Sequence, residues 1–149
     1  MFEIICEPDF EYDLKKELFT CTLYCKTEYG SFPDGEWTDF PMTLLAWWSR
    51  ALIEIEEKEE VKFELLFEDG PFWIEGIKSK QVVTLYFLTA KKLEEKRDSV
   101  QSSYDEIVGA VLNFGLNLKR YLVMEKRWHD VRIVKDWCTK LNALKVSLK

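Results

Sequence analysis

His129 and Asp130 are the neighbouring residues that come nearest to a catalytic pair, because a carboxylate beside a histidine can orient it as a general base. No motif marks a nucleophile for them. Glu36 and Asp39 form a second candidate, a pair of carboxylates for acid and base work. Each pair also has a simpler interpretation, with Asp130 as a helix N-cap and the other two as anions near the positive end of a helix. We therefore expect no catalytic site and no enzyme. Glycine motifs for nucleotides are absent as well, so we expect no cofactor.

The four cysteines could bind a metal ion or form disulfides. Cys6, Cys21, Cys25 and Cys138 contain no CxxC pair, and His129 is the only histidine, so no metal site is predicted. Cys21 and Cys25 lie four residues apart in a β-like segment, which separates their Cα atoms by about 13 Å and excludes a direct disulfide. We expect four reduced, buried thiols, as in a reducing compartment.

Size and charge limit the possible functions further. The chain has 149 residues, which predicts one domain over residues 1–149, and 47% of them are hydrophobic, which excludes a disordered chain. The 27 acidic and 21 basic side chains give a net charge of -6. This charge opposes binding to nucleic acid or to anionic membranes and favours a basic partner. No secretory signal and no apolar run of about 18 residues is present, so we expect a cytoplasmic protein without a membrane span.

Hydrophobic periodicity predicts the elements that would position any site. Strands are expected over residues 2–6, 18–29, 61–67, 72–77 and 82–88. The last three of these strands are close enough in sequence to form an antiparallel meander. Residues 91–101 are interpreted as a charged connector.

Three helices are predicted between and after these strands. The first is capped by Thr38 or Asp39, tolerates Pro41 in its first turn, and runs to about Glu57. The second begins at a capping box formed by Ser103 and Glu106. The third carries an apolar seam towards the carboxyl terminus. Strands come early and helices late, so the class is α+β, a mainly antiparallel sheet with one mid-chain helix and two C-terminal helices packed on it.

Two surface features favour a protein partner. An acidic run follows the first helix, with carboxylates at Glu54, Glu56, Glu57, Glu59 and Glu60. Anions near a helix C-terminus are unfavourable, so a basic partner would stabilise them, although such a run is also typical of a solvated helix end. Trp48 fits the apolar stripe and is predicted in the core. Trp37 and Trp73 are candidates for exposed binding residues, with loop packing onto the core as the alternative.

The tryptophan-rich pattern has a counterpart in a known family. The order of features is a turn, FPDGEWTDF, then a helix start, PMTLLAWW, then a strand pair around FEDGPFWIEG. Over residues 28–90 this order resembles immunity proteins of bacterial polymorphic toxin systems. The resemblance implies a single-domain cytosolic inhibitor that masks a cognate toxin by direct contact, often through an acidic surface against a basic nuclease. It implies no active-site residues.

We therefore expect a non-enzymatic inhibitor whose contact surface includes Glu36, Trp37, Asp39, Trp73 and the acidic run of residues 54–60. Charge would steer the toxin and an aromatic side chain would hold it. One alternative is a small enzyme or ligand-binding domain, whose pocket would be lined by Tyr24, Trp47, Tyr86 and Tyr121. Another alternative is a homo-oligomer that uses the aromatic surface as its own interface.

Overall fold

The computed structural model describes residues 1–11, 19–90 and 99–147. Within these residues the chain forms two four-stranded antiparallel sheets and three α-helices. The predicted α+β class is confirmed, with one helix in the middle of the chain and two at its carboxyl-terminal end. The strands are divided between two sheets, which the sequence did not reveal.

The first sheet is built around its second strand. Its strands are β1 (Glu3–Glu11), β2 (Thr20–Thr27), β3 (Gly30–Phe32) and β4 (Thr38–Asp39). β2 pairs with β1 on one side and with β3 and then β4 on the other. Buried Cys21, Leu23 and Cys25 alternate with half-buried residues, as expected for a strand with one face in the core. Residues 33–37 leave the sheet edge between β3 and β4 and form a surface loop.

The second sheet is a four-stranded meander. Its strands are β5 (Glu60–Leu66), β6 (Phe72–Ser79), β7 (Val82–Thr89) and β8 (Ser99–Ser103), paired in that order. The predicted three-strand meander is confirmed. β8 was missed, because residues 99–101 were assigned to the charged connector. The other connector residues, 91–98, lie outside the described part of the chain.

The helices cover the inner faces of both sheets. They are α1 (Pro41–Glu54), α2 (Tyr104–Met124) and α3 (Trp128–Ser147). α1 packs on β5, α2 packs on β1 and β8, and α3 packs on the other two helices. The Ser103 half of the predicted capping box is confirmed, since the Glu106 backbone N–H donates to the Ser103 hydroxyl at 3.0 Å. None of the helices in the described residues is long and apolar enough to cross a membrane.

Three predicted helix boundaries were wrong. α1 begins with Phe40 at the N-cap position and has no side-chain cap, so neither Thr38 nor Asp39 caps it. It ends at Glu54, and the next three residues form a turn, because the chain must reverse to enter β5. Asp130 lies inside the first turn of α3, where its carboxylate accepts a hydrogen bond from Arg127 Nε at 2.7 Å.

A row of aromatic rings runs through the core. Trp48 is fully buried, as predicted, and its indole N–H donates to the Leu66 carbonyl at 2.7 Å. Its ring contacts Phe114 on one side and Phe67 on the other, with centroids 6.1 and 5.3 Å away. Phe67 contacts Phe32 at the end of β3 at 5.8 Å. The row therefore joins the helical layer to the surface loop that follows β3.

Candidate functional site

Asp39 on β4 holds the preceding surface loop of residues 33–37 to the turn between β5 and β6. Its Oδ2 accepts hydrogen bonds from Trp37 Nε1 at 3.0 Å and from the Asp69 backbone N–H at 3.2 Å. Its Oδ1 accepts from the Phe40 backbone N–H at 2.8 Å. Burial raises the pKa of the Asp39 carboxyl, and the three donors oppose this rise. Asp39 is fully buried, which corrects its assignment to a contact surface: it positions Trp37 and does not face solvent.

Trp37 is half-buried, and its ring is fixed on several sides. The ring packs edge-to-face on Phe72 with centroids 5.1 Å apart, while its N–H is held by Asp39. The Trp37 carbonyl accepts from the Leu23 N–H at 2.8 Å, which ties the loop to β2. Gly70 has a φ of +79, and a Cβ there would lie 2.8 Å from the Trp37 ring. Glycine is therefore favoured at position 70 for two reasons: the turn needs a positive φ, and the Trp37 ring leaves no room for a Cβ.

Acidic side chains surround the accessible part of Trp37. A shallow cleft of about 490 Å³ is lined by Asp34, Glu36, Trp37, Asp69 and their neighbours Gly35 and Thr38. The three carboxylates of this cleft belong to exposed residues. Asp34 also accepts from the Glu36 backbone N–H at 2.8 Å, which orders the loop. No group of acidic, histidine or cysteine side chains suited to a metal ion occurs within the described ranges. The cleft thus combines a fixed aromatic ring with negative charge.

The acidic run lies at the other end of α1. Glu54, Glu57, Glu59 and Glu60 are exposed, and Glu56 is half-buried. The Glu60 carboxylate accepts from the Ser79 hydroxyl at 2.7 Å. The run is thus a surface feature, but it is not free of internal contacts.

A buried lysine, Lys78, contacts the backbone of this acidic run. Lys78 is only 2% exposed, and its ammonium donates to the Lys58 carbonyl. The same ammonium lies 5.3 Å from the centre of the Tyr104 ring, a cation–π contact. Burial raises the pKa of the Tyr104 hydroxyl, and the charge of Glu56 adds to this rise. Lys78 therefore ties the backbone of the acidic run to the core. We expect its positive charge to offset part of the repulsion among the glutamates.

Trp73 belongs to a third location. Its neighbours in the sheet are Leu66 on β5 and Leu88 on β7, and it alternates with the buried Ile74. It therefore points away from the helices, and it is half-buried. The nine residues chosen from the sequence fall into three places: the loop around Trp37, the acidic run, and the outer face of the second sheet. α1 has 14 residues, so its two ends are about 21 Å apart.

Sequence reasoning missed a second cleft beside the start of α1. It has a volume of about 700 Å³ and is lined by Met42, Thr43, Arg127, Trp128, His129, Asp130 and Ile133. Trp128 is 57% exposed, although tryptophan is usually well buried. Trp128 is the first residue of α3, directly after the three-residue connection from α2, and this position at a helix start was the available sign of an exposed aromatic. Met42 is the fifth residue after Trp37, which limits the distance between their Cα atoms to about 17 Å.

The groups proposed for catalysis or for a pocket are not assembled. His129 is exposed, and its neighbour Asp130 is engaged by Arg127. Tyr24 and Tyr86 lie on strands of different sheets, and each alternates with residues buried in the core. Trp47 is exposed on α1, and Tyr121 is half-buried on α2. None of these four aromatic residues lines either cleft described above.

Comparison with known proteins adds no further constraint: the chain matches no protein-family model, no curated protein and no solved structure.

Proposed function

We propose that this protein is a non-enzymatic inhibitor that binds a basic protein, and that it acts in the cytoplasm as an immunity protein by occluding a cognate bacterial toxin. One observation carries the proposal. Trp37 is held half-exposed by Asp39 and Phe72, in a cleft whose rim bears the carboxylates of Asp34, Glu36 and Asp69. An aromatic anchor with a charged rim is typical of a protein-binding hot spot.

The fixed position of Trp37 favours binding for an entropic reason. A side chain that is mobile before binding loses about 0.5–1.5 kcal/mol of free energy when a partner immobilises it. Trp37 is already held by a hydrogen bond at its nitrogen and by the Phe72 ring. Most of that cost is thus met during folding. A partner that covers the ring keeps the gain from burying it.

The charge distribution supports a basic partner. Residues 1–90 contain 19 acidic and 8 basic side chains. Such an excess raises the association rate of a positively charged protein, and it repels nucleic acid and anionic lipid. The proposed partner is therefore a basic toxin, and neither nucleic acid nor a membrane is a proposed ligand.

One interface can include both ends of α1. A partner commonly buries about 800 Å² on each protein, which corresponds to a circle roughly 32 Å across. The two acidic ends of the helix are about 21 Å apart by its length of 14 residues. Trp47 is exposed on α1 between these two ends and is available to the same partner. The acidic run would act through steering at the edge of the interface, and Trp37 would act by direct contact.

The proposal is tested with the product of the neighbouring reading frame. An immunity gene is expected directly downstream of a large toxin gene, so the toxin domain encoded upstream is the probe. We expect this protein to bind that domain and to protect cells that produce it. We expect Trp37→Ala combined with Glu36→Lys to abolish protection without unfolding the protein. Asp136→Lys, an exposed charge reversal on α3, is the matched control and should protect like the original protein. A toxin domain that binds the double variant as tightly as the original would contradict the proposal.

A further inference from the structure

Two buried thiols are in contact between the first two strands. The Sγ atoms of Cys6 on β1 and Cys21 on β2 are 3.6 Å apart, and one thiol donates a hydrogen bond to the other. The residue directly opposite Cys6 is Leu23, so Cys21 is its diagonal neighbour on the same face. Spacing in the sequence tests only the pair Cys21 and Cys25, because the pairing of β1 with β2 cannot be read from spacing alone.

We propose that Cys6 and Cys21 form a reversible disulfide when the folded protein meets a small neutral oxidant such as hydrogen peroxide. The sulfur atoms must approach by about 1.5 Å to reach the bond length of about 2.05 Å. Diagonal residues on paired strands are usually about 7–8 Å apart at Cα, slightly beyond the usual range for a disulfide, so a small backbone movement is needed. β1 pairs with β2 alone among the described strands, and its register shifts after Glu7. The backbone movement is therefore assigned to β1, whose register shift follows directly after the segment that carries Cys6.

Exposure and hydrogen bonding assign a different role to each thiol. Cys6 is 9% exposed and Cys21 is 1% exposed, so Cys6 is the thiol that the oxidant reaches. The pKa of Cys21 is raised, first by its hydrogen bond with Cys6 and then by burial. Burial and this contact therefore favour the protonated form of Cys21. Cys6 is thus the attacking residue, and Cys21 is the resolving residue.

The reaction balances with peroxide as the only oxidant. The Cys6 thiolate attacks one oxygen of hydrogen peroxide, which breaks the O–O bond, forms a sulfenic acid and releases hydroxide. The Cys21 sulfur then attacks the Cys6 sulfur, the S–O bond breaks, and water leaves with the Cys21 proton. The hydroxide takes up the proton that Cys6 lost. In total, two thiols are oxidised to one disulfide, and one peroxide is reduced to two waters.

The other two cysteines provide internal controls. Cys25 is fully buried and lies between Ile4 of β1 and Phe32 of β3 in the sheet. Cys138 is on α3, where it packs against Gly115 of α2. By register Cys25 is the other diagonal neighbour of Cys6, but the sulfur of Cys6 is in contact with that of Cys21. Cys138 lies on α3 and not on a strand paired with β1. Cys25 and Cys138 should therefore stay reduced. The disulfide would lie beside Asp39, because Cys21 is the residue opposite Asp39 in the pairing of β2 with β4.

The test treats the reduced, folded protein with hydrogen peroxide, removes the peroxide with catalase, then unfolds the protein and alkylates its free thiols. We expect a product about 2 Da lighter before alkylation, with two of the four thiols lost, a cross-linked peptide that contains Cys6 and Cys21, and full recovery with dithiothreitol. Cys6→Ser and Cys21→Ser should each abolish the cross-link, and Cys25→Ser should retain it. The unfolded chain, treated in the same way, shows that the peroxide is active. If it is oxidised while the folded protein keeps four free thiols, the proposal is overturned. A cross-link through Cys25 or Cys138 would overturn it equally.

Discussion

Replacing Asp39 with asparagine tests the most important contact of the candidate site. The amide oxygen can take the place of Oδ2 and keep the hydrogen bonds from Trp37 and Asp69. The amide nitrogen then faces the Phe40 N–H, which is also a donor, so that hydrogen bond is lost. A buried N–H without a partner costs about 1–3 kcal/mol. The loss of a negative charge beside the start of α1 costs up to about 1 kcal/mol more.

The net cost of replacing Asp39 is smaller than the sum of these two losses, because the original carboxylate is buried. Burial raises the pKa of Asp39, so the protein destabilises the charged form, and asparagine removes that penalty. We expect Asp39→Asn to lower the free energy of unfolding by about 2 kcal/mol at pH 7, which corresponds to a fall of about 6 °C in melting temperature.

The same pKa fixes how this loss depends on pH. An aspartate in the unfolded chain has a pKa of about 3.9, and that of Asp39 in the folded protein is higher. Between these two values the folded state binds more protons, so the contribution of Asp39 to stability falls as pH rises through this window. Asparagine has no such dependence. The stability difference between the two proteins should therefore be largest near pH 4 and smaller at pH 7.

Urea denaturation of both proteins from pH 4 to pH 7, followed by tryptophan fluorescence, measures this difference. Asp34→Asn is the matched control, because it changes an exposed carboxylate of the same loop and should alter stability by less than about 1 kcal/mol. A difference that grows with pH would refute the reasoning. It would mean that the three donors outweigh burial and lower the pKa of Asp39. An unchanged stability at every pH would show that the hydrogen bonds of Asp39 contribute nothing.

Three further outcomes are expected. Trp37→Ala should speed dissociation of the toxin domain and weaken binding by about 2 kcal/mol, roughly 30-fold, in surface kinetics; equal dissociation rates would remove Trp37 from the interface. Glu57→Lys with Glu59→Lys should slow association and flatten its salt dependence while melting stays unchanged, since exposed charges act by steering; an altered dissociation rate alone would contradict this role. Lys78→Met should lower the free energy of unfolding by about 1–2 kcal/mol, because it leaves the Lys58 carbonyl unpaired and removes a positive charge near the glutamates. In urea denaturation at two salt concentrations, the loss should be larger at low salt; a loss that does not vary with salt would contradict the electrostatic role of Lys78.

The sequence predicted the features of this fold that repeat over many residues. The alternation in β5 and the stripe that contains Trp48 extend over several residues, so each is visible without knowledge of the tertiary structure. The capping box at Ser103 is equally local. β4 has only two residues, and β8 has five and is mostly polar, so neither produces a clear period. Such strands form because a neighbouring strand offers hydrogen bonds.

The candidate site was predicted only in part, because its main contacts join distant parts of the chain. Glu36 and Trp37 lie in a surface loop, in the turn expected from the sequence, and their role in binding stays a prediction. The burial of Asp39 depends on Asp69, which lies 30 residues away, and on the close approach of Gly70 to the Trp37 ring. The strand predicted over residues 72–77 stops one residue before Lys78, although the alternation of Ile74 and Gly76 continues to Lys78 and indicates an inward position. Lysine is rarely buried, so the sequence alone favours an end to the strand before it.

The row of aromatic rings gives the protein a built-in optical reporter. Trp37 contacts Phe72 at 5.1 Å, and Phe72 contacts Phe32 at 5.7 Å, from where the row continues through Phe67 to Trp48. Rings held in fixed mutual orientation give circular dichroism in the near ultraviolet, and this dichroism is lost when packing loosens even if the helices persist. An event at the Trp37 surface should therefore change the dichroism of the protein without any label. The spectrum would distinguish a partner that only covers the loop from a change that loosens the core.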